Sequence, residues 1–134
     1  MENKLICLDT SVLIDFYRKK DKSKTFLYRL SIKYNLFAVT SITLFEIYTG
    51  SSQEQNDFWD KFFQNKVILP FDSHSAQLAV SINKKLKSQR QQIDIPDLFI
   101  AACAIEHKLP LATLNFKHFQ RIEQLELIER VEVP

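Results

Sequence analysis

A chain of 134 residues, 46% hydrophobic and 25% charged, has the composition of one globular domain able to bury a core, and this excludes a disordered or low-complexity polypeptide. Its net charge of +2 is too small to announce a nucleic-acid binder by itself. No apolar run reaches the length of a membrane span and the first residues lack a signal-peptide pattern, so a cytoplasmic protein with no membrane partner is expected.

In chain order, KLICLD (4–9) reads as a buried strand and SVLIDFYRKK (11–20) as a helix. TFLYRLSIKY (25–34) repeats apolar residues at helical intervals, and LFAVT (36–40) is a second short strand. ITLFEIYTG (42–50) is a helix stopped by Gly50, the only glycine in the chain. QEQNDFWDKFFQN (53–65) is helical and KVILPF (66–71) a third strand. SAQLAVSINKKLK (75–87) is an amphipathic helix with Ala76, Ala79, Val80, Asn83 and Leu86 along one side. PDLFIAACAIEHK (96–108) is apolar nearly all round, hence a central helix; LPLAT (109–113) is a fourth strand, and LIERVEV (127–133) offers a last one.

Strands alternating with helices predict an α/β fold: three α/β/α layers around a mostly parallel sheet of four or five strands, as a single domain over 1–134. In such sheets ligands bind beyond the carboxyl ends of the strands. Asp9 ends the first strand, the second leads to Glu46, Asp97 opens the most apolar helix, and the fourth strand runs into Thr113, Asn115 and His118. Each has a purely structural explanation as well. Asp9 suits a helix N-cap, Thr43 and Glu46 have capping-box spacing, and Asp97 suits the positive end of a helix. Together, three carboxylates at one sheet edge would repel one another unless a cation neutralised them, and hard oxygen ligands suit Mg²⁺ or Mn²⁺. Asp15 reads as a solvated helix position and Asp94 as the start of the turn into the Pro96 helix.

Other residues carry less. Cys7 and Cys103 lie in apolar stretches and read as small buried hydrophobes; His74, His107 and His118 have no zinc-like spacing. The basic run KKLKSQR, with Lys84, Lys85, Lys87 and Arg90, suits either a solvated helix face or a phosphate-rich ligand such as RNA.

LDTSVLID, TSITLFEIYTG, IDIPDLFIAACA and TLNFKHF, in that order from residue 5 to about residue 120, resemble the PIN-domain family, and most closely its VapC-type toxins. The D-[ST]-[SN]-x-[LI] motif of that family falls on Asp9, Thr10, Ser11 and Leu13. Its E-L-x-x-G element falls on Glu46, Ile47 and Gly50, and D-x-x-I-A-A on Asp97, Ile100, Ala101 and Ala102. The resemblance implies a metal-dependent ribonuclease whose Asp9, Glu46 and Asp97 are catalytic and hold Mg²⁺ or Mn²⁺. Thr10, Ser11 and Thr113 would support them by hydrogen bonds. It also implies an RNA substrate, a cognate antitoxin protein and a homodimer. Two departures stand out: His118 occupies the place of a fourth acidic residue, leaving that position to His118 or Asn115, and SQRQQ (88–92) replaces a glycine before the third motif. A PIN-fold binding module that turns over slowly for want of the fourth carboxylate is the competing expectation.

Overall fold

The computed structural model describes residues 4–128. Strands β1 (Leu5–Leu8), β2 (Leu36–Thr40), β3 (Val67–Leu69), β4 (Leu111–Ala112) and β5 (Leu127–Ile128) form one sheet in the order β3-β2-β1-β4-β5. Every pairing is parallel. Of the stretch read as a last strand, residues beyond Ile128 lie outside the described residues.

Helices α1 (Thr10–Arg18) and α2 (Phe26–Lys33) link β1 to β2, and α3 (Ser41–Thr49) and α4 (Gln53–Phe63) link β2 to β3. Helices α5 (Ser73–Ser88) and α6 (Ile95–Glu106) then carry the chain back across to β4, and the short α7 (Phe116–Phe119) follows it. The chain therefore builds outward on one side of β1 and afterwards on the other. The order reverses between β1 and β4, which opens a crevice outside their carboxyl ends.

Strand side chains alternate between two cores, as the pleat requires. Cys7, Ala38, Leu69 and Leu111 face α5 and α6, where Ala79, Ile82, Leu86, Leu98, Ala101 and Ala104 are buried. Ile6, Leu8, Val39 and Ala112 face α1, α2 and α4, with Leu13, Leu30 and Trp59. The three α/β/α layers read from the sequence are present. The central character of α6 is plain, since Ile100 through Ala104 have no exposed surface.

One expectation needs correction. The buried stripe of α5 runs through Ser75, Ala79, Ile82 and Leu86, whereas Val80 is 54% exposed on the flank of that stripe. Gly50 does cap α3, but at φ −89° and ψ 0°, a conformation open to any residue. The left-handed positions fall instead on Arg90 (φ 54°) and Lys108 (φ 57°), each just past a helix end. There Gln91 N–H bonds Leu86 C=O and Leu109 N–H bonds Ala104 C=O, both at 2.9 Å, closing Schellman turns without glycine.

Candidate active site

Helix caps separate the ends of this sheet that serve structure from those that do not. Helices α2, α3, α4 and α5 each begin with a side chain that accepts an N–H of the first turn: Thr25, Thr40, Ser52 and Asp72. Helices α1 and α6 begin at Asp9 and Asp94 with no such bond. Asp9 has the N-cap backbone conformation but spends its carboxylate elsewhere. Oδ2 accepts hydrogen bonds from Ser11 Oγ and Thr113 Oγ1, both at 2.7 Å. The side chain is almost wholly buried, 3% exposed, and these bonds hold it at the β1/β4 crevice.

Thr113 lies just beyond β4, and Asn115 N–H bonds its Oγ1 at 2.9 Å, while Leu114 N–H bonds Ser11 Oγ at 3.1 Å. The segment after β4 is thus tied to the start of α1. Asn115 Nδ2 donates to His118 Nδ1 at 2.9 Å, so these two side chains engage each other.

Glu46 arrives from α3. Its Oε1 accepts from Thr10 Oγ1 at 2.7 Å, and Thr10 Oγ1 stands 3.0 Å from Thr43 Oγ1. The capping-box explanation for Glu46 therefore fails: the N-cap is Thr40, whose Oγ1 accepts Thr43 N–H at 3.2 Å, and Glu46 lies beyond the first turn. Thr40 and Thr43, both without exposed surface, were not picked out as site residues from the sequence. Their signal was available, a hydroxyl at each end of T-S-I-T, the first ending the strand and the second three residues before the carboxylate.

Asp97 sits in the first turn of α6, after Pro96, half-buried. Its carboxyl is pushed up from 3.8 to about 6, first by burial and then by the negative charges of Asp9, Glu46 and Asp94. Among the described residues none of Asp9, Glu46 and Asp97 pairs with a lysine or arginine, whereas Asp15 pairs with Lys19 and Glu123 with Lys85. Nor does any group of three or more His, Cys, Asp or Glu among the described residues already stand at metal-ligand separation. The donor set nonetheless fits a hard divalent cation: carboxylate oxygens with neutral hydroxyls behind them and an unbalanced negative charge.

Asp15 is not the solvated position expected. It accepts Phe26 N–H at 3.1 Å and pairs with Lys19 at 2.9 Å, pinning α2 to α1. Cys7 and Cys103 are free and buried; burial pushes both thiols up, Cys103 to about 11, so neither is a thiolate at neutral pH. Lys84, Lys85 and Lys87 are exposed on the last turns of α5, with Arg90 just past its end, and Lys85 is spoken for by Glu123 at 2.9 Å.

Residues 6–125 match the model of the PIN domain. The chain belongs to the PIN-domain family. Ribonuclease VapC1 of Methanocaldococcus jannaschii is 32% identical over 132 residues, 94% of this chain and 87% of its own. Ribonuclease VapC of Rickettsia bellii is 29% identical over 131 residues, 92% of this chain and 94% of its own. Among solved structures, VapBC2 from Rickettsia felis, bound to a DNA fragment from their promoter, superimposes with a TM-score of 0.79 at 28% identity, covering 92% of this chain and 97% of that one. Within the PIN-domain family the chain is of the VapC toxin type found in type II toxin–antitoxin pairs.

Proposed function

We propose that this protein is a metal-dependent endoribonuclease toxin that hydrolyses RNA phosphodiesters, and that a cognate antitoxin holds it inactive. The observation that carries the proposal is how the acids are held: Asp9, almost wholly buried, accepts from Ser11 and Thr113, Glu46 accepts from Thr10, and among the described residues neither of them nor Asp97 pairs with a lysine or arginine. The upward shift of the half-buried Asp97 carboxyl, from burial and the neighbouring acids, agrees with a negative charge that awaits a cation. Membership in a family whose curated relatives are named ribonucleases supports the same reading.

Asp9, Glu46 and Asp97 would hold Mg²⁺ or Mn²⁺. When bound, the ion neutralises charge at phosphorus and lowers the pKa of a water. The chain's own residues supply orientation. Ser11 and Thr113 donate to Asp9 and Thr10 donates to Glu46, which leaves the remaining carboxylate lone pairs free. Asn115 and His118, tied to Thr113, take the place of the fourth acid. With no carboxylate there, one negative charge fewer favours Mn²⁺ over Mg²⁺. Glu46 also opens into a cleft of about 340 Å³ whose walls combine Tyr17, Ile47 and Trp59 with Arg18 and Gln55, a mixed apolar and polar seat for an antitoxin segment. The chain would act as a homodimer, as an RNA-cutting partner of that antitoxin.

The test is cleavage of a mixed-sequence RNA by purified protein with Mn²⁺, beside Asp9→Asn, together with growth of cells expressing each. Wild type is expected to cut RNA and arrest growth, and Asp9→Asn to do neither at equal protein level. The Asn115–His118 bond in place of a carboxylate favours a second reading, a slow or inactive RNA-binding module. RNA binding by the folded wild type without Mn²⁺-dependent cleavage would establish that module instead.

A further inference from the structure

Two cationic segments far apart in the chain meet on one face. Residues 84–92, KKLKSQRQQ, hold four Lys or Arg and no carboxylate; residues 116–122, FKHFQRI, hold Lys117 and Arg121 and no carboxylate. Arg121 Nη1 donates to the Gln92 carbonyl at 3.0 Å, which fastens the second segment to the first. Between them lies an open cleft of about 690 Å³, lined by Gln89, Gln91, Lys117, Gln120, Arg121 and Glu123. Glu123 is the one acid in that lining, and Lys85 pairs with it at 2.9 Å, so the net charge of the wall is set by Lys117 and Arg121. The three glutamines leave the wall polar without adding negative charge.

Both segments are close in sequence to residues of the candidate active site. Gln92 is five residues before Asp97, and Lys117 follows by two Asn115, whose N–H bonds the hydroxyl that holds Asp9. A strand whose scissile phosphate lies over the acids must leave the crevice somewhere. The gap between the segment entering α6 and the segment leaving β4 is bounded on both sides by residues covalently close to those acids.

We infer that this cleft binds the sugar-phosphate backbone of the RNA strand flanking the scissile bond, with Lys117 and Arg121 as its phosphate contacts. The inference rests on the ribonuclease reading above and shifts the main RNA contacts from the outer face of α5 to a site on the α7 segment. Phosphate contacts release counterions, so each one lost lowers the slope of log affinity against log salt by about 0.7 for a single strand.

The experiment measures binding of a fluorescent 20-nucleotide single-stranded RNA in EDTA, where the strand stays intact, across a range of salt. Lys117→Gln removes a side chain that makes no hydrogen bond or ion pair among the described residues, and Arg121→Gln removes the second cation. Each is expected to lower the salt slope by about 0.7, and the pair to weaken binding roughly tenfold or more at low salt. Because Arg121 also holds the Gln92 carbonyl, Lys117→Gln alone is decisive should the Arg121 variant misfold. Wild type that cuts RNA with Mn²⁺ while Lys117→Gln keeps the wild-type slope overturns this inference and leaves the ribonuclease reading standing. Wild type that neither binds nor cuts RNA overturns both.

Discussion

The two faces of the sheet are packed by different chemistry. Against α6 the sheet offers Cys7 and Ala38, and the helix answers with Ala101, Ala102 and Ala104, small residues on both sides of the contact. Against α1 and α4 the filler is aromatic: Trp59 lies within 4.9–5.7 Å, centroid to centroid, of Tyr17, Phe58, Phe62 and Phe63. Small residues let a helix backbone approach the sheet, so the alanine face fixes how near the first turn of α6, and with it Asp97, comes to Asp9. The aromatic face supplies area and dispersion, and its helices reach the candidate site through Asp9 at the start of α1 and Glu46 in α3. The alanine face sets the approach of Asp97, and the aromatic face supplies the bulk behind the other two acids.

That division can be broken from either side. Trp59→Ala should cost about 3–5 kcal/mol in urea unfolding, since it empties the centre of the aromatic cluster. The protein that remains folded should bind Mn²⁺ better than the Ala101→Leu protein does. Ala101→Leu should cost less, about 1–3 kcal/mol by overpacking, yet weaken Mn²⁺ binding because it lifts α6 from the sheet. Equal loss of Mn²⁺ affinity in both variants would erase the distinction.

Within the site, Thr43→Val removes the hydroxyl that stands against Thr10 while keeping its volume. About a tenfold fall in Mn²⁺ affinity is expected, with recovery in Thr43→Ser, by titration calorimetry. A positioning role requires that recovery; a packing role would favour valine.

The Asp97 carboxyl gives a pH signature. With a folded value near 6 against an ordinary 3.8, the folded state holds a proton that the unfolded chain has already released between about pH 4 and 6. Stability of the metal-free protein should therefore fall as pH rises through that window and stay lower above it. After solvent screening of a half-exposed group the effect is about 1 kcal/mol. Asp97→Asn should flatten the slope and be the more stable protein at pH 7, measured by denaturant midpoints with EDTA.

The smallest effect concerns the helix ends. Lys108→Gly should raise stability by roughly 1 kcal/mol or less by relieving a left-handed backbone position, with no change at the site.

Much of this was legible in the chain. The alternation of apolar strands and helical periods gave the layer order, and the all-apolar period of 96–108 gave the central helix. The motifs singled out Asp9, Glu46 and Asp97, and of these only Asp9 directly follows a strand; Glu46 lies inside α3, and α5 stands between β3 and the helix that carries Asp97. What periodicity could not carry is what a side chain does once packed. Val80 fits a helical stripe as well as Ile82 does, and only tertiary packing chose between them. Thr43 and Glu46 satisfy capping spacing, but the helix begins three residues earlier than that spacing requires, at Thr40. Asp15 looked solvated because its partner, Phe26 N–H, comes from another helix. The meeting of Arg121 with Gln92 joins residues 29 apart, beyond the reach of any local pattern.

The shared cation site is tested most directly by the thermal midpoint at pH 7 with and without Mn²⁺, for wild type and for Asp9→Asn, Glu46→Gln and Asp97→Asn. Mn²⁺ is expected to raise the wild-type midpoint and to leave each of the three variants nearly unmoved, since each removes one formal charge from the same site. An equal rise in all four proteins, or none in wild type, would contradict a cation held jointly by Asp9, Glu46 and Asp97.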